Sequence, residues 1–177
     1  MATLFGPITL RGLTARNRIW VAPMCQHSCL AQDGIPTDWH LVHLGGALSV
    51  EEGGRPTVAV SAVSFGALPT PRALDRDELP AVVQAFADAA RRAIEAGFDL
   101  VELHAAHGYL LHQFLSPLSN KREDDYGGSL PNRARLLLEV VRVVREAIGD
   151  APLFVRVSAT DWANRGWEIE STAIVAG

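Results

Sequence analysis

The sequence is poor in cysteine: Cys25 and Cys29 are the only two among 177 residues. They stand four positions apart and cannot staple a fold. That argues against a disulfide-held secreted domain and makes the cytoplasm the expected compartment. An excess of charge of one sign is also missing. Lys and Arg number 16 against 20 Asp and Glu, a formal net charge of -4. A balance this close to neutral gives no basic surface for nucleic acid or an anionic membrane. No apolar run reaches the roughly 20 residues of a membrane-spanning helix. The opening Met1-Ala-Thr-Leu-Phe-Gly-Pro7 has neither the basic nor the apolar stretch of a secretion signal, so none is expected. No G-x-G-x-x-G fingerprint of a resident dinucleotide occurs.

Metal-ligand spacings are absent as well. Cys25, His27 and Cys29 alternate, and His40 and His43 repeat an H-x-x-H spacing. Neither supplies the paired sets that zinc needs, so no metal site is expected. What remains is ordinary globular material, 48% hydrophobic and 20% charged. It predicts a single domain over residues 1–177.

Two segments repeat one plan. Asp75-Arg-Asp-Glu78 has capping-box spacing, with Asp75 as N-cap. Val83, Phe86, Ala87, Ala90 and Ile94 follow on one helical face. Gly97 stops the helix, and Leu100–Leu103 reads as a buried strand. The second segment starts near Ser129, with Pro131 in the first turn. Leu137, Val140, Val141, Val144 and Ile148 repeat the spacing, Gly149 stops it, and Leu153–Val157 is the next strand. Helix, glycine, strand and polar loop form the rhythm of an α/β parallel sheet or barrel. Nearer the start, Ile8–Leu10 and Asn17–Ala22 read as short strands. The second of these runs into Pro23-Met-Cys-Gln-His27.

The chemistry concentrates in Val101-Glu-Leu-His-Ala-Ala-His-Gly-Tyr109. A strand delivers two imidazoles and a phenol at its C-terminal end, where α/β folds place their active groups. Two histidines can donate hydrogen bonds to one oxygen, and a tyrosine can deliver a proton beside it. The competing reading is a pair of satisfied loop histidines.

The neighbouring motifs bear on that choice. They are Pro23-Met24-Cys25-Gln26, His104-Ala-Ala-His107-Gly-Tyr109, Phe114-Leu-Ser-Pro-Leu-Ser-Asn-Lys-Arg-Glu-Asp-Asp-Tyr-Gly-Gly-Ser129 with Asn132-Arg133, and Val155-Arg156-Val-Ser158. In this order they resemble the Old Yellow Enzyme family, FMN-dependent ene reductases on a TIM (β/α)8 barrel, and within it the thermophilic-type branch. The resemblance implies that Pro23, Met24 and Cys25 lie against the isoalloxazine, with the Cys25 thiol tuning the flavin potential. It implies that Arg156 holds the pyrimidine edge; the plainer reading of Arg156 is an ion pair at the barrel mouth. His104 and His107 would grip the carbonyl oxygen of an α,β-unsaturated substrate, and Tyr109 would protonate the α-carbon. NADPH, or NADH, would visit as the hydride donor in ping-pong turnover. Arg122, Asp124, Arg133 and the Tyr126-Gly-Gly-Ser loop read as structural, and Asn120 and Lys121 as solvated.

The chain departs from the family in two ways. His27 stands where the branch usually has a substrate-facing tyrosine, which makes the contact pH-sensitive. The length also falls below the about 250 residues typical of a full barrel. A deletion or discontinuity is read near residues 48–56, and only a partial barrel is expected. Three readings of function follow. The first is an ene reductase acting on a small enone, with homo-oligomers possible. The second is a flavin-free, non-catalytic fragment acting through association. The third is a metal-dependent barrel hydrolase.

Overall fold

The computed structural model describes residues 4–10, 13–19, 57–64 and 70–177. The first described elements are a hairpin, β1 (Ile8–Leu10) against β2 (Leu13–Ala15), antiparallel with Ile8 opposite Ala15. The sequence predicts a second strand over Asn17–Ala22. Its described part forms no strand: residues 16–18 bend, and the Asn17 carboxamide accepts the backbone N–H of Ile19 at 2.9 Å. The rest of that stretch lies outside the described residues.

Two short parallel strands follow, β3 (Val58–Ala59) and β4 (Arg72–Ala73). The chain then enters the two repeated segments. Glu78 Oε2 accepts the N–H of Asp75 at 2.7 Å, the return half of the expected box. It closes a 3-10 turn, Arg76–Glu78, which leads straight into α1 (Leu79–Glu95). Helix α1 buries Leu79, Val82, Val83, Ala87 and Ala90. It ends in a Schellman arrangement. Gly97, at φ 91°, donates to Ile94 O, and Phe98 donates to Ala93 O.

Strand β5 spans Val101–Ala105, so it begins later than expected and carries His104 within it. After a four-residue loop comes a short helix, α2 (Leu110–Leu115). Helix α3 (Leu130–Ile148) starts at Ser129, whose hydroxyl accepts from Asn132 N–H, with Pro131 in its first turn. Its buried face is Leu136, Leu137, Val140, Val144 and Ile148. Strand β6 (Leu153–Val157) matches the expected bounds and pairs in parallel with β5. Helix α4 (Ile169–Ala176) completes the described chain and buries no residue.

Helices α1 and α3 pack on each other and on one face of the β5–β6 pair. Leu103 and Ala105 of β5 face this layer, joined by Leu153 and Val157 of β6. Each large side chain in such a core contributes about 1.5–3 kcal/mol over leaving it exposed. Alternation along the strands therefore turns Glu102, His104 and Arg156 to the opposite face, which is helix-free among the described residues.

The segment between α2 and α3 is held by side chains. Arg122 donates to Leu74 O at 2.6 Å and forms a forked pair with Asp124. Arg133 donates to Leu115 O at 2.8 Å. Asn120 corrects the expectation of a solvated side chain. It is buried, and its Nδ2 donates to Phe114 O at 2.7 Å and Tyr126 O at 2.8 Å, while its Oδ1 accepts Arg122 N–H. A carboxamide can serve both kinds of orphan backbone group at once, and this loop has both. Gly127 is required by close approach: a Cβ there would sit 2.0 Å from the Arg122 carbonyl oxygen.

Candidate active site

Strand β5 runs out at Ala105 and delivers its polar groups within five residues. His104 is half-buried on the helix-free face. Its ring centroid lies 5.1 Å from that of His107 and 5.2 Å from that of Tyr109. His107 and Tyr109 are both exposed. The three side chains named from sequence thus gather at one strand end.

The backbone here is unusual. His107 has φ 58° and Gly108 has φ 80°, so two successive residues are left-handed. A non-glycine residue holds that conformation only when its surroundings enforce it. Here the His107 N–H donates to Ser158 Oγ at 3.0 Å, and the Gly108 N–H donates to Nδ1 of His112 at 2.9 Å. Gly108 O accepts from Gln113 Nε2 at 3.0 Å. The turn throws His107 outward and lets the chain re-enter α2 directly after Tyr109.

Burial pushes the His104 imidazole below its ordinary pKa, and the neighbouring His107 and Arg156 push it further down. His104 is therefore neutral at neutral pH and has one N–H to give. Its Nδ1 is buried and has no hydrogen-bond partner among the described residues.

Arg156 lies across from His104 in the β5–β6 register. Its Nε donates to Glu102 Oε1 at 2.8 Å, an ion pair on the helix-free face. The terminal nitrogens of its guanidinium carry no hydrogen bond among the described residues. Pro23, Met24, Cys25 and His27 lie outside the described residues, as do Cys29, His40 and His43.

The sequence reading missed a second layer beneath the loop. His112 is buried and Asp161 partly so, with Nε2 2.8 Å from Oδ1. Asp161 also accepts from Ser116 Oγ at 2.5 Å and from the N–H of Trp167 at 2.7 Å. The buried Trp167 donates its indole N–H to Ser158 O at 2.9 Å. His112 stands 49 residues from Asp161, so no local spacing announced the pair.

Comparison with known proteins bears on this arrangement. Residues 40–176 match the pattern of the NADH:flavin oxidoreductase / NADH oxidase family. The chain belongs to that family. An NADPH dehydrogenase of Geobacillus thermodenitrificans is 37% identical over 94% of this chain and 66% of its own length. An NADH:flavin oxidoreductase of Gibberella zeae is 34% identical over 98% of this chain and 63% of its own. The chain thus spans about two thirds of the length of these relatives. Among solved structures, an old yellow enzyme homologue from Zymomonas mobilis superposes with a TM-score of 0.73 at 28% identity, covering 98% of this chain and 69% of that one. The fold class is accordingly α/β of the TIM-barrel type, and the described residues build part of such a barrel. The helix-free face bearing Glu102, His104 and Arg156 is the face that closes inward in such barrels.

Proposed function

We propose that this chain carries the substrate-activating half of an FMN- and NAD(P)H-dependent ene reductase. The observation that carries the reading is the meeting of His104, His107 and Tyr109 at the end of β5. Family membership and the named dehydrogenase relatives support flavin and nicotinamide chemistry. The residues present fit a flavin edge. Arg156 offers terminal N–H donors and a fixed positive charge beside an unmatched buried nitrogen of His104. Pro23, Met24 and Cys25 are assigned to the same cofactor from the sequence. Bound there, FMN supplies the hydride that adds to the β-carbon of a conjugated double bond.

The chain's own groups do the rest. One N–H from each of His104 and His107 binds the carbonyl oxygen of a small enone and draws electron density off the β-carbon. The Tyr109 phenol gives its proton to the α-carbon. His27 is assigned to the outer part of the substrate.

The alignment with the Geobacillus relative runs over 226 residues, more than the 177 of the whole chain. That supports a discontinuity inside the matched span, which we assign near residues 48–56. A competing role in association, including homo-oligomers, is favoured by the apolar surface at Val155, Ile169 and Ile174, all exposed.

The deciding experiment is anaerobic spectroscopy of the purified chain titrated with FMN. Flavin uptake, bleaching by NADPH and recolouring by an enone are expected. A protein that takes up no FMN would refute catalysis by this chain. If FMN binds, Tyr109→Phe should slow recolouring by about 10²-fold or more and leave bleaching unchanged; equal loss of both would remove Tyr109 as the proton donor.

A further inference from the structure

We propose that His112 and Asp161 are positioning residues. Locked in one tautomer, they hold the left-handed His107–Gly108 turn and so set the aim of the histidine pair and Tyr109. The use of that aim rests on the ene-reductase reading above; the lock itself does not.

The hydrogen bonds fix the tautomer without ambiguity. The Gly108 N–H points at Nδ1 of His112 from 2.9 Å, so Nδ1 must be an unprotonated acceptor. The Ser158 hydroxyl lies 3.5 Å from the same nitrogen. That hydroxyl already accepts the His107 N–H, so its own proton is left to face Nδ1. The ring's one hydrogen therefore sits on Nε2, where Asp161 Oδ1 accepts it at 2.8 Å. Asp161 is itself aimed from outside: its second oxygen takes Trp167 N–H and Ser116 O–H. A chain of directed bonds thus runs from the loop after β6, through a buried ring, to the two amides that keep His107 and Gly108 in positive φ.

Replacing Asp161 by asparagine tests the chain of bonds by reversing one of them. The amide oxygen must face the fixed Trp167 N–H, which leaves the NH2 opposite Nε2 of His112. The ring must then carry its hydrogen on Nδ1, where it opposes the Gly108 N–H. The shape of the site is preserved and its polarity inverted.

The first measurement uses the full chain labelled with 15N-histidine, without flavin. Two-bond proton–nitrogen spectra near neutral pH should place the His112 hydrogen on Nε2 in the natural chain and on Nδ1 in Asp161→Asn. Amide exchange at His107 and Gly108 should rise by about ten-fold or more in the variant, with α3 amides unchanged. A natural chain with the hydrogen on Nδ1, or unchanged exchange at both amides in the variant, overturns the proposal. Should Asp161→Asn fail to fold, the natural spectrum still decides the tautomer, and Ser158→Ala decides the coupling by faster exchange at His107. In FMN-loaded protein, Asp161→Asn should slow the enone half-reaction about 10–100-fold and leave flavin reduction by NADPH within about two-fold. An equal fall in both half-reactions overturns the positioning role. Failure to load FMN sinks the ene-reductase reading alone, since tautomer and exchange are read without it.

Discussion

Asn120 offers a sharp test of how the loop between α2 and α3 is held. Its buried carboxamide makes three hydrogen bonds, two donated to Phe114 O and Tyr126 O and one accepted from Arg122 N–H. Asn120→Ala deletes all three and leaves two carbonyls and one N–H unmatched in a site where Asn120 itself is only 6% exposed. At about 1 kcal/mol per net hydrogen bond, and up to 3 for a stranded group, the loss should be about 2–4 kcal/mol. For a chain of this size that lowers the melting temperature by roughly 5–15 °C. Urea unfolding followed by circular dichroism would measure it. Asn120→Asp supplies the control, because it keeps the shape and swaps two donors for an acceptor facing two carbonyl oxygens. It should cost at least as much as Asn120→Ala, and its deficit should narrow in acid, where a protonated carboxyl regains one donor. A loss under about 1 kcal/mol for the alanine variant, or an aspartate variant close to the natural stability, would refute the reasoning.

Other consequences are more briefly stated. Leu137→Ala, in the interface between α3 and α1, should cost about 2–5 kcal/mol by denaturant titration, and Leu138→Ala, on the exposed side, within about 0.5. Gly127→Ala should prevent the loop from closing, since its Cβ would overlap the Arg122 carbonyl; loss of stability well beyond that of Gly97→Ala, where the space is open, is the expected result. The Arg72 guanidinium and the Asp75 N–H hold the partly exposed Glu78 carboxyl down to about 2. A carboxyl whose folded pKa is depressed adds stability above its unfolded pKa and loses it as pH falls toward 2. Glu78→Gln should therefore flatten the acid limb of stability between about pH 4 and 2 and change little near neutrality. For His104 the sign is the same, since its folded pKa is also depressed and stability is lost as acid protonates the ring. Burial lowers its folded pKa, so the fold favours the neutral ring, and its titration by NMR should have a midpoint below that of a free histidine.

Most of the frame was legible because it is local. Both long helices follow from apolar spacing between a polar cap and a glycine, and those signals act within one turn of the chain. Strand β6 kept its expected bounds for the same reason: Gly149 and Pro152 fence it. Strand β5 ran past its apolar core because pairing with β6 carries His104 and Ala105 along, and pairing is not visible in one strand's sequence. Spacing put His104, His107 and Tyr109 at one strand end, and the neighbouring motifs, by family resemblance, gave them a common task. What lay beneath them was not legible. His112 sits on α2 at a position that periodicity reads as core, and a buried histidine reveals its role only through its partner. Asn120 failed for a related reason. Its type and its charged neighbours Lys121 and Arg122 suggest solvent, while the backbone atoms it serves come from Phe114 and Tyr126, six residues to either side.

The bonds that hold the His107–Gly108 turn also order its appearance in time. His107 leans on Ser158, 51 residues later, and His112 leans on Asp161, 49 residues later. At the pace of translation, about 5–20 residues per second, the core of α1 and β5 can be in place seconds before those partners emerge. During that interval the loop that carries the two histidines and Tyr109 has no lock. A nascent chain interrupted ahead of Trp167 would have α1, α2 and α3 and lack the N–H that aims Asp161. Completion of the loop after β6 is thus the step at which the His107–Gly108 turn gains the bonds that hold it.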